Sequence, residues 1–106
     1  EEELNKSFAC FMKAAQMGYA QAYACLGSAY FRGKGVEKDW VKTREMYQTG
    51  ASMGNPLAIL QFANCLKRGI GGEKDYPAAI TLYLQLVEHR NDDALYELGD
   101  MYLKGL

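Results

Sequence analysis

Apolar residues recur along this chain at helical spacing, in short stretches separated by glycine-rich breaks. From Ala20 to Arg32 there is no proline, and Ala22, Leu26, Ala29 and Tyr30 fall at positions that share one side of a helix. Gly33-Lys34-Gly35 interrupts the pattern. Asp39 then offers a carboxylate to the exposed backbone N–H groups of a second helix, which the pattern carries from about Trp40 to Met53, where Gly54 ends it. The grammar repeats with Asn55 as a cap and Pro56 in the first helical position, where a missing N–H leaves no bond unmade. That helix is expected to reach Arg68, followed by a loop from Gly69 to Gly72. Asp75 caps the next helix, with Pro77 in its first turn. The last spans about Asp92 to Lys104, with Asp92-Asp93 read as its cap. Ahead of all these, residues 2–17 form a helix that stops at Gly18.

These elements are copies of one unit. Sliding the sequence by 36 residues pairs residues 1–70 with 37–106 without a gap, and 16 pairs are identical where composition predicts about four. Ala22, Ala58 and Ala94 align, as do Gly33, Gly69 and Gly105, and Tyr47 with Tyr83. A helix pair of this size cannot bury its apolar face alone, whereas stacked neighbours can. The expected fold is therefore all-α: an α/α superhelical solenoid of antiparallel helix pairs with a 36-residue period, about three repeats and five helices long. The expected boundaries are a back helix at 2–17, one repeat at 20–54, a second at 55–90 and the front helix of a third at 91–106. No polar capping helix follows Tyr102-Leu103-Lys104-Gly105-Leu106, so the chain reads as a segment of a longer array whose uncapped ends are expected to self-associate end to end.

The period sorts scaffold from surface. Phe11, Tyr47 and Tyr83 on the back helices and Leu26, Phe62 and Leu98 on the front helices are expected to form core ladders. Gly27, Ala63 and Gly99 are small where helices must approach closely, since glycine inside a helix otherwise costs about 1 kcal/mol against alanine. Removing these positions leaves a stripe on each front helix that varies between repeats: Cys25, Ser28 and Arg32; then Gln61, Asn64 and Arg68; then Glu97, Asp100 and Lys104. Fixed positions serve stacking, so the variable stripe is the candidate surface for a protein or peptide ligand. Tyr23 and Tyr96 are candidate aromatic anchors beside it.

Ala22, Leu26, Gly27, Tyr30, Gly33, Gly35, Val36 and Asp39, with Lys13-Ala14-Ala15 and Gly18 before them, resemble the Sel-1-like repeat, a relative of the tetratricopeptide repeat. The tetratricopeptide unit itself has a period of about 34 residues and lacks the double-glycine loop. The resemblance implies that the front helices line a concave, partner-binding side and that the chain is an interaction scaffold or adaptor. An accessory or regulatory repeat domain of a larger enzyme is the alternative. Departures concentrate in the later units: Phe62-Ala63, Leu66 and Gly72 in the second, Gly50-Ala51 and Leu86-Val87 at the alanine pair, and Arg90 where Gly18 and Gly54 stand. Residue 90 must then hold a conformation that favours glycine, or its turn must differ.

Composition excludes several classes. The net charge of −1 gives no electrostatic case for nucleic acid or an anionic membrane surface, and no apolar run reaches the ~20 residues a membrane helix needs. Cys10, Cys25 and Cys65 stand at different places in the repeat, without the per-repeat disulfide pattern that some secreted family members carry. An odd count out of register points to free thiols and a reducing, cytoplasmic compartment. Cys10 and Cys65 are expected to be buried as small hydrophobes. His89, the single histidine, has no second ligand near it in sequence. Gly69-Ile70-Gly71-Gly72 follows a helix and lacks the lysine of a phosphate loop. No catalytic residue, cofactor site or metal site is expected.

Overall fold

The computed structural model describes residues 2–106, which form six helices rather than five: α1 (Glu2–Gln16), α2 (Ala20–Arg32), α3 (Trp40–Ser52), α4 (Pro56–Arg68), α5 (Tyr76–Glu88) and α6 (Asp92–Leu103). Six is one more than the expected count, although the hydrophobic pattern itself places each of the six, α1 included, at 2–17. Each helix packs on the next in chain order, and α2 also packs directly on α4. The result is an elongated stack, 45 × 24 × 18 Å.

Local chemistry explains the boundaries. Asp39, Asn55 and Asp75 accept from the backbone N–H groups of Lys42, Ala58 and Ala78, three residues on. At α6 the cap is Asn91, which accepts from Ala94; Asp92 and Asp93 occupy the first turn instead, where their charge suits the positive end of the helix dipole. The three short turns share one hydrogen-bond pattern. Gly18, Gly54 and Arg90 each donate to the carbonyl three residues back, and the next residue donates to the carbonyl five back. Arg90 thus keeps the conformation of its glycine counterparts, at φ 62° against 90° and 86°. The turn survives because its other bonds hold the arginine there. Left-handed backbone costs a non-glycine residue about 1–2 kcal/mol, offset in part by glycine's larger entropy loss on folding. Arg90→Gly should therefore stabilise the chain by about 0.5–1 kcal/mol, seen as a thermal midpoint a few degrees higher. An unchanged or lower midpoint would contradict this reading.

The ladders close the core. Tyr47, Tyr83, Leu26 and Leu98 are buried, while Phe11 and Phe62 are half-buried. Ala22, Ala58 and Ala94 are all buried, as expected of small residues at helix crossings. Gly27 has a specific reason to lack a side chain, because the Tyr47 ring lies 2.5–2.9 Å from where its Cβ would stand. Gly50 likewise lets α3 approach Ala58 of α4. Gly99, expected at a close approach, has nothing within 4 Å and is exposed.

The departures of the second repeat form one coupled exchange. In the first, Phe8 meets Tyr30 edge-on at 5.5 Å. One period later these become Arg44 and Leu66. Arg44 donates from Nε to the Ile70 carbonyl (2.8 Å) and from Nη2 to those of Cys65 (3.1 Å) and Glu73 (2.9 Å), tying the glycine loop to α3. Gly72, in place of Val36, leaves room for the guanidinium, which lies 3.0 Å from where a Cβ would be.

Candidate functional site

The nine stripe residues do not share one environment. Ser28 and Asn64 stand 19 residues before the ladder tyrosines Tyr47 and Tyr83, and Asn64 meets the hydroxyl of its tyrosine. The Tyr83 hydroxyl donates to Asn64 Oδ1, and Asn64 Nδ2 donates to Gln61 Oε1 at 3.4 Å. Ser28 lines the same cleft as Tyr47. Asn64, the middle position of the second stripe, is therefore partly structural, since a buried phenol needs a hydrogen-bond partner.

The third repeat's stripe is neutralised from within. Lys67 of α4 bridges to Glu97 and, at 3.5 Å, to Asp100; Lys104 reaches Asp100 at 3.0 Å. The hydrogen bond from Lys104 holds the Asp100 carboxyl below its ordinary range, despite an opposing effect of burial. Periodicity did not single out Lys67, yet a signal existed. Lys67 is a lone cation where the other repeats place Phe31 and Leu103, and Glu97 and Asp100 are the stripe's only acids. Coupled departures from a repeat are the mark of a pair in contact.

The remaining stripe residues line open clefts. Cys25, Ser28 and Arg32 border a cleft of about 180 Å³ between α1 and α2. Ser28, Arg32 and Gln61 border a second of about 220 Å³ between α2 and α4. Gln61, Asn64 and Arg68 border a third of about 90 Å³, floored by Tyr47 and Cys65. Phe31, which the period did not flag, lines the last two and stacks on Trp40 at 5.2 Å. Of the two candidate anchors, Tyr96 is 75% exposed, whereas Tyr23 is half-buried with its hydroxyl 3.4 Å from the Ala15 carbonyl.

The titratable groups on the floor are held neutral. Burial pushes the Tyr47 hydroxyl up to about 12 and the Cys65 thiol up to about 11, the latter against the pull of Arg44 and Arg68. Burial also raises Tyr83. A thiol protonated at neutral pH is a poor nucleophile. Cys65 is buried as expected, but Cys10 is exposed, because α1 turns it away from α2; all three thiols are free. His89 ends α5. Among the described residues no group of three His, Cys, Asp or Glu is placed to hold a metal ion, and no helix is long and apolar enough to cross a membrane.

The raised tyrosines have a consequence at high pH. A phenol whose folded pKa lies above its unfolded value of about 10 favours the fold below pH 10, and this contribution fades as pH rises toward 12. The urea midpoint should fall across pH 10–12, each buried phenol steepening the decline by up to about 1.4 kcal/mol per pH unit. Tyr47→Phe should flatten it. A variant with the wild-type slope would show that Tyr47 does not contribute.

Known proteins share this arrangement. Sel1 repeat signatures match residues 3–19, 20–55, 56–89 and 92–106. Chitin synthase regulatory factor 3 of Schizosaccharomyces pombe is 29% identical over 87 residues, covering 81% of this chain and 9% of that protein. The ERAD-associated E3 ubiquitin-protein ligase component HRD3B of Arabidopsis thaliana is 26% identical over 88 residues, covering 83% of this chain and 15% of that protein. The chain thus spans a small part of these relatives. The solved structure of c5321, a protective antigen of uropathogenic Escherichia coli displaying an SLR fold, superposes with a TM-score of 0.91 at 28% identity, over 96% of this chain and 22% of that one. With its 36-residue period, paired helices and glycine loops, the chain belongs to the Sel1 repeat family.

Proposed function

We propose that this chain is a protein-interaction module, and that the front helices α2 and α4 present a concave groove to a protein or peptide partner. One observation carries the reading: Cys25, Ser28, Arg32, Gln61, Asn64 and Arg68 line adjoining clefts between helices rather than a smooth solvated face. Such clefts offer a ligand enclosed area together with polar groups that fix its orientation. Glu97, Asp100 and Lys104 contribute less, being tied to one another and to Lys67.

Reversing charge at Arg32 and Arg68 together should abolish capture of partners that the wild-type chain retains, with helical content unchanged by circular dichroism. Lys104→Glu alone should leave capture intact. If the double variant holds every partner as well as wild type does, the front face is not the site. A second reading draws on the names of the relatives, one a regulatory factor for chitin synthase and the other a component of a ubiquitin ligase. On that reading the segment is an accessory or regulatory part of a larger enzyme or enzyme assembly. A catalytic domain in the same full-length product would favour it.

A further inference from the structure

The three front clefts are one groove. The first and second share Ser28 and Arg32, and the second and third share Phe31, Tyr47 and Gln61. Its charge is one-sided. Arg32, Lys34 and Arg68 line it, and no aspartate or glutamate among the described residues does, although the chain carries 13 acidic residues against 12 basic ones. None of the three cations is ion-paired with another described residue, whereas Glu97 and Asp100 of α6 are taken up by Lys67 and Lys104. Between the cations the walls are aromatic, with Phe8 and Phe11 in the first cleft and Phe31 and Tyr47 beyond.

We propose that this groove takes an extended acidic peptide, with carboxylates on Arg32, Lys34 and Arg68 and apolar side chains seated in the clefts between them. The inference rests on the interaction reading above and gives it a partner chemistry. Like-signed charges along a cleft with low-dielectric walls concentrate the opposite charge, and a guanidinium can hold a carboxylate through two parallel hydrogen bonds. Clefts of about 90 to 220 Å³ suit single side chains rather than a folded domain. Nucleic acid draws its affinity from many phosphate contacts, and three cations on a chain of net charge −1 supply few.

The test is selection of a displayed library of random dodecapeptides on the full chain. Three comparisons follow: the Arg32→Glu/Arg68→Glu variant, Leu57→Trp, and anisotropy with labelled peptides and a labelled uridine oligomer. Leu57 is 46% exposed and lines the second cleft, so a tryptophan there obstructs the groove without altering charge. The expected result is enrichment of peptides in which Asp or Glu alternates with apolar residues. Their binding should fall about tenfold or more in the arginine variant, on Asp/Glu→Asn/Gln substitution of the peptide, and in Leu57→Trp. Neutral or basic peptides blocked by Leu57→Trp would overturn the acidic assignment while leaving the interaction reading in place. No enrichment, or enrichment indifferent to Leu57→Trp, would overturn both. Binding of the uridine oligomer tight enough to displace the peptides would also overturn the proposal.

Discussion

Gly71→Ala should destabilise the chain by about 3–6 kcal/mol, a large fraction of the total stability of a domain this size. Two costs add. Gly71 sits at φ 75°, where an alanine loses about 1–2 kcal/mol. Its Cβ would also stand 2.2 Å from the Trp40 carbonyl oxygen and 3.1 Å from Arg44 Cβ. A backbone carbonyl cannot rotate away as a side chain can, so the loop must lift off the start of α3. Lifting it breaks the bonds from Arg44 to the Ile70, Cys65 and Glu73 carbonyls, and bonds from a charged donor contribute about 1.5–3 kcal/mol each. Gly54→Ala is the control. Gly54 has φ 86° but nothing within 4 Å, so its alanine should lose only about 1–2 kcal/mol. Urea unfolding followed at 222 nm would measure both, and equal losses would show that the close approach contributes nothing.

Tyr83→Ala should lose about 3–5 kcal/mol, the range for deleting a buried aromatic side chain. Tyr83 is fully buried, and it joins α5 to α4 within the larger of the two core clusters. Its hydroxyl adds a polar component, because Asn64 Oδ1 accepts from it. Tyr83→Phe keeps the ring and leaves that oxygen without its donor, so about 1–2 kcal/mol is expected. Should Tyr83→Phe match Tyr83→Ala, the hydroxyl bond rather than the packed ring would be the main stabilising contact. A loss confined to the alanine variant would make Asn64 free to serve a ligand.

These two sites differ in how far the sequence foretold them. The glycine loop was legible as a break, since both copies carry glycine at the first and third positions after the same arginine. That the second glycine is demanded by a carbonyl of the preceding back helix was not, because Trp40 lies 31 positions earlier in the chain. The tyrosine ladder was legible from Tyr47 and Tyr83 falling one period apart. Its hydrogen bond to Asn64 was not, and it moves that residue from an outward stripe into a partly structural role. Arg44, Leu66 and Gly72 look like decay of the repeat when compared residue by residue. In space they exchange one aromatic contact for three hydrogen bonds.

The sequence by itself determined the period, the helix spans and the caps Asp39, Asn55 and Asp75, because each depends on residues within a few positions of one another: a side chain three residues before an N–H, or a φ that glycine tolerates. The cap of α6 at Asn91 and the left-handed Arg90 were decided by the structure. Tertiary structure alone decided which variable residues are free. Asn64 finds Tyr83 19 residues away, and Lys67 finds Glu97 30 residues away, only once α4 has stacked on α5 and α6. Stacking pairs Glu97 and Asp100 of the third front helix with Lys67, and leaves Arg32 and Arg68 of the first two without an ion-pair partner among the described residues.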